Sequence, residues 1–114
     1  MIYQRGDVLP VPFPYADLSS AKNRPAVVVS SDLFHQTEPD IIIAAITSQI
    51  DHQHGQTDTR LKDWRSAGLL KPSLVKASLA TLEPSMVWHR LGKLSKVDLE
   101  ELNRKLAAAL GLKP

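Results

Sequence analysis

The chain has 114 residues, no cysteine, and 14 basic against 12 acidic residues, for a formal net charge of +2. That length suits one compact domain, and the absence of cysteine excludes disulfides and thiolate metal sites. So small a positive balance argues against a broad polyanion-binding face and leaves room for a short, local anionic site.

Met1 to Arg5 has no apolar stretch of signal-peptide length, and no run approaches membrane-spanning length, so a cytoplasmic location without membrane contact is expected. Asp7 to Phe13 reads as a first strand with Leu9, Val11 and Phe13 on one face. Pro10 and Pro12 would both lack their N–H on the same edge, which is therefore expected to be unpaired or bulged. Pro14 to Asn23 is a polar, turn-rich loop of the kind that carries function.

Two continuous apolar runs follow, Arg24-Pro25-Ala26-Val27-Val28-Val29-Ser30 and Ile41 to Gln49, both of strand length and rich in β-branched residues. Pairing them antiparallel with Ser30 opposite Ile41 brings Arg24 opposite Thr47. Directly opposed residues share a sheet face, so a permanent cation and a hydroxyl converge at one rim, an arrangement that suits a phosphate. Ser48 is expected on the opposite face from Thr47. One helical turn is expected between Ser31 and Asp40.

Asp51 to Asp63 reads as a second long polar loop, and Trp64 to Leu70 as a short irregular or helical plug beneath it. Strands are expected at Val75 to Leu82 and Trp88 to Leu94, with a turn at Pro84-Ser85-Met86. Ser95 with Asp98 signals a helix start, apolar residues from Val97 to Leu110 recur at helical spacing, and Gly111 is a stop. Of the four histidines, His52 and His54 sit in the second loop, His35 in the connection before it, and His89 beside Trp88; none shows metal-ligand spacing or an evident catalytic partner.

Gly6-Asp7-Val8, Pro12 to Leu18, Arg24-Pro25-Ala26-Val27-Val28-Val29, Ala44 to Gln49, Trp64 to Leu69 and Leu91-Gly92-Lys93-Leu94 resemble, in order, the MazF/PemK family of type II toxin–antitoxin toxins. The resemblance implies a mainly β fold with α, an SH3-like antiparallel barrel with a C-terminal helix, working as a homodimer. It further implies a metal-independent endoribonuclease, without cofactor, cutting single-stranded RNA by 2′-OH attack to leave 2′,3′-cyclic phosphate and 5′-OH ends. A cognate antitoxin with a partly disordered, often acidic segment would cover the RNA groove.

By the same resemblance Arg24 stands at the family's catalytic arginine and Thr47 at its second catalytic position. Guanidinium offers phosphate oxygens a planar fork of donors and stays charged. Some members carry a glutamate about five residues before the arginine; here Ser19 stands there, and Asp17 is the nearest acid and a candidate base. Pro10 also departs from the family's usual apolar residue. RNA-contacting candidates are Tyr15, Asp17, Ser19, Lys22, Gln49 and Lys76, with Arg90 a possible extension of the phosphate track. Two other readings stay open at this point: a non-enzymatic toxin of the CcdB type acting on gyrase, and a degenerate member that only binds antitoxin or RNA.

Overall fold

In a computed structural model, which describes residues 3–12, 23–50 and 55–113, six antiparallel strands form one curled sheet, with a long helix at the C-terminal end. The strands are β1 (Asp7–Val11), β2 (Arg24–Val28), β3 (Ile41–Thr47), β4 (Thr59–Arg60), β5 (Leu74–Leu82) and β6 (Gly92–Lys93), in spatial order β4-β5-β3-β2-β1-β6. A short helix α1 (Asp32–Thr37), capped by the Ser31 hydroxyl, joins β2 to β3. The long helix α2 (Lys96–Leu110) follows β6.

The apolar runs of β2 and β3 are continuous because both faces of the sheet are covered. Val8, Val27, Val29, Ala44 and Val75 pack on one side against Leu102 and Leu106 of α2, with Leu61, Ala67 and Leu69 beside them. Leu9, Val11, Ala26, Val28 and Ile43 form the other core with Tyr3, Leu82 and Val87. The β2–β3 register is Ala26 opposite Ala45, Val27 opposite Ala44 and Val28 opposite Ile43. This is the register read from the two apolar runs.

The proline-bearing edge behaves as its missing donors require. Leu91 N–H donates to Val8 O at 2.7 Å, so residues of even number in β1 turn their backbone polar groups toward β6. The β6 ladder covers only Asp7 and Val8, and Pro10 and Pro12 follow where no strand remains to need their N–H. The first strand stops at Val11, two residues short of the expected end; Phe13 lies outside the described residues.

Two further differences from the sequence reading have local causes. The second loop contains β4, which pairs with Leu74 and Val75 and so extends the sheet by one short strand. Trp88 to Leu94 is not one strand: Val87 N–H is taken by Pro84 O in a turn, and only Gly92–Lys93 pairs with β1.

Between β4 and β6 the chain itself closes the curl. The turn from Trp64 to Gly68 lies backbone against backbone on β6. A Cβ on Gly68 would stand 2.1 Å from Leu91 O, and one on Gly92 would stand 2.4 Å from the Ala67 carbonyl. Gly68 also sits at φ 83°, which disfavours any side chain. The buried Asp98 carboxylate in the first turn of α2 holds the same segment, accepting Lys62 N–H and Asp63 N–H at 2.9 Å each. Ser95 caps Asp98 N–H as the helix-start signal requires, while the Asp98 side chain reaches across to this loop. None of the described helices is long and apolar enough to cross a membrane.

Gly68→Ala, whose Cβ has no space and whose φ is unfavourable for an L residue, should lower the unfolding free energy by more than about 2 kcal/mol. Asp98→Ala should cost roughly 1.5–3 kcal/mol by leaving two backbone donors without their acceptor. Urea denaturation of both variants beside the parent checks these values.

Candidate active site

The site begins with a missing hydrogen bond. Val29 N–H donates to Ile42 O at 2.9 Å, which fixes the alternation of bonded pairs between β2 and β3. The next bonded pair along the ladder is Val27 with Ala44, and continuing the alternation would set Pro25 opposite Ile46. Proline has no N–H to give, and the ladder ends at Ala26. Beyond it the ladder holds no pair at the positions of Arg24 and Thr47. On its other side Arg24 remains paired opposite Val11 of β1, so its backbone is held while its side chain is exposed.

A groove of about 780 Å³ opens at this end of the ladder. Asn23, Arg24, Pro25, Thr47, Ser48 and Gln49 form one wall; Gly68 to Lys71 with Ser73 form the facing one. The groove therefore contains both predicted catalytic residues and Gln49. Thr47 is more than a strand-end residue. Its Oγ1 accepts Gln49 N–H at 3.1 Å, a local turn bond that sets the side chain's direction. With the oxygen used as acceptor, the hydroxyl proton is free to donate into the groove. Ser48 lines the groove as well, just past the end of β3 at Thr47.

The far wall was not legible in the sequence. Leu70 is 94% exposed at the groove, next to exposed Lys71. Among the described residues no ion pair engages either Arg24 or Lys71, so both cations are available to an anion. A register shift between Ala44 and Ile46 leaves Lys76, Ala77 and Ser78 of β5 opposite Ala45 alone. That bulge places Ser78 in the lining. No signal short of the register itself could have found Ser78; Lys71 was visible only as a cation beside two leucines and a proline.

Other candidates lie elsewhere. Lys76 is not part of the groove lining; its Nζ is 3.0 Å from the buried Asp58 carboxylate, a structural pair at the base of β4. Arg90 is 3.3 Å from buried Asp7, also outside the groove. His35 meets the buried Ser30 hydroxyl at 2.5 Å in the β2–α1 connection, away from the groove lining. Glu101 and Arg104 form a local pair on α2 at 2.7 Å, and the arginine holds that carboxyl below its ordinary range. Tyr15, Asp17, Ser19, Lys22, His52 and His54 lie outside the described residues. Among the described residues the groove lining has two guanidinium or ammonium groups, hydroxyls and amides, and no carboxylate or imidazole. It can hold and polarise a phosphodiester.

The chain matches, over residues 4–110, the model of the PemK-like, MazF-like toxins of type II toxin–antitoxin systems. It belongs to that family. A curated relative, the endoribonuclease MazF of Staphylococcus saprophyticus, is 26% identical over 115 residues, covering 96% of this chain and 92% of the relative. The fold is shared with a mycobacterial endoribonuclease solved in complex with its cognate antitoxin, at a TM-score of 0.78 and 19% identity over 99% of both chains. It is shared too with MazF of Deinococcus radiodurans, at a TM-score of 0.73 and 22% identity over 98% of this chain and 99% of that one. Arg24 and Thr47 both line the groove of this PemK/MazF-family toxin.

Because Arg24 is one of few groove cations, an oligonucleotide held there should release few counterions. Replacing Arg24 by alanine should flatten the salt dependence of single-strand binding by about 0.7 in log–log slope. Titration of a fluorescent oligonucleotide across a salt series measures that slope.

Proposed function

We propose that this toxin is an endoribonuclease that cleaves single-stranded RNA without a metal and is held inactive by a cognate antitoxin. The observation that carries the reading is the open groove in which exposed Arg24 and the turn-oriented Thr47 hydroxyl stand at the same end of the ladder.

The 2′ oxygen of the nucleotide before the cleaved linkage attacks its own phosphorus, and the bond from phosphorus to the 5′ oxygen of the next nucleotide breaks. A 2′,3′-cyclic phosphate and a 5′-OH result, so the balance needs one proton removed from the 2′ oxygen and one delivered to the 5′ oxygen. The phosphorane between them carries extra negative charge on its non-bridging oxygens. The Arg24 guanidinium presents donors to those oxygens in a fork that matches them. Thr47 donates a hydrogen bond from its hydroxyl to one of them and fixes the orientation of the group. The departing 5′ oxygen takes its proton from Arg24, which solvent then reprotonates. Lys71, on the facing wall, is a second cation for the backbone phosphates. Asp17 in the first loop remains the candidate base that takes the 2′ proton. Since the nucleophile is the 2′-OH, DNA is not cut.

The antitoxin acts on the same groove. Its partly disordered, acidic segment competes with RNA for Arg24 and Lys71 and for the apolar wall around Leu70. The protein acts in the cytoplasm, as a homodimer, on transcripts it meets there.

Incubation with a mixed transcript pool and a chelator should yield mapped cuts with 5′-OH ends. Arg24→Ala should reduce the rate by about 10²- to 10³-fold and Thr47→Ala by about 10- to 100-fold, both with the parent's circular dichroism. A 2′-deoxy residue at the cleaved nucleotide should block the cut. Cleavage that requires added metal, or that survives Arg24→Ala, would overturn the mechanism.

A further inference from the structure

Residues 87–91 form a short arch anchored at both ends. Val87 is buried, its carbonyl accepts the Tyr3 hydroxyl at 3.2 Å, and its N–H donates to Pro84 O at 3.0 Å. At the other end Leu91 N–H is bound to Val8 O, and Arg90 reaches the buried Asp7 carboxylate. Between these anchors Trp88 is 87% exposed, beside the exposed His89. Tryptophan has among the largest apolar surfaces to hide, and the fold hides almost none of this one. The ring walls a hollow of about 270 Å³ with His89, Asn23 and Pro10. Asn23 and Pro10 also line the groove that holds Arg24, so the two concavities adjoin.

We infer that this hollow is a nucleobase subsite in which the base of a nucleotide flanking the cleaved linkage stacks on Trp88. The inference rests on the ribonuclease reading, because one strand is then laid across both concavities. A phosphate at Arg24 puts the adjoining nucleotide beside Asn23, the preceding residue and the one common to groove and hollow. An aromatic face takes any base. Discrimination between bases comes from the Asn23 amide, with both donor and acceptor, and from the His89 ring nitrogens along the base edge. The anchored arch offers the indole already in place, so little ordering opposes stacking.

The test compares the parent with Trp88→Ala and Trp88→Phe on an RNA oligonucleotide carrying one mapped cut, and on copies with an abasic ribonucleotide on either side of it. Trp88→Ala should lower kcat/KM about 5- to 100-fold on the intact oligonucleotide, while Trp88→Phe keeps most of the activity. The abasic change at one flanking position should erase the difference between parent and Trp88→Ala. In parallel, an oligonucleotide blocked by a 2′-deoxy residue at the cut should quench Trp88 fluorescence, read as parent minus Trp88→Phe so that Trp64 cancels. Unchanged cleavage by Trp88→Ala with no quenching would overturn the subsite while leaving Arg24-dependent cleavage standing. An equal defect on every abasic substrate would overturn it too, as would quenching that follows protein concentration without RNA, which would mean burial between two copies. Quenching by RNA in a protein that cuts nothing would remove the nuclease reading and keep the subsite.

Discussion

The functional geometry depends on one absent N–H. Antiparallel strands with apolar, β-branched sequences zip as far as their donors allow, and β2 and β3 do so from Val29 and Ile42 to Ala26 and Ala45. Pro25 ends the ladder, and the groove opens at the next residues. An ordinary residue there would have an N–H to offer Ile46 O, which proline lacks. The proline thus divides the strand into a part that builds core and a part that presents chemistry. Arg24 keeps its pairing with Val11 on the other side, so the end of the ladder does not loosen its backbone.

The opposite wall is held by a different device. Gly68 and Gly92 let two backbones touch where any side chain would collide, which brings the Trp64–Lys71 segment onto β6 and completes the curl. Asp98 fastens the same segment to α2 through two backbone donors. Both devices act on backbone, so the wall's outward side chains, Leu70 and Lys71, carry no packing duty. A groove built this way tolerates change in its lining without loss of fold, since its position is fixed by atoms that face away from the ligand.

How much of this was legible in the sequence follows from which interactions are local. The β2–β3 register was readable because both runs are continuous, of known strand length, and can slip only by exposing apolar residues. The α2 limits were readable because caps are short-range chemistry: Ser95 and Gly111 stand where the signals put them. The edge prolines gave the place where β6 stops. What failed was non-local. Trp88 to Leu94 looks like a strand by composition, but whether it pairs is decided by Pro84 O and Val8 O, far away in sequence or in a turn. Lys76 looked like a free cation, and its partner Asp58 directly precedes a strand of two residues that no periodicity reveals. Ser78 reaches the groove through a bulge, and Ser48 through the end of a strand; both are registers, not compositions. The family resemblance supplied Arg24 and Thr47, while the bond that Thr47 Oγ1 accepts from Gln49 N–H is visible only in the structure.

The charge balance bears on how such a groove recognises its ligand. A chain with a net charge of +2 cannot hold a polyanion by counterion release over many phosphates. Within the described groove only Arg24 and Lys71 are cationic, and the remaining wall is proline, leucine, hydroxyl and amide. Affinity must then come from surfaces other than phosphate, and those surfaces are ones a peptide can also satisfy. Recognition in this groove thus turns on shape and hydrogen bonding more than on charge.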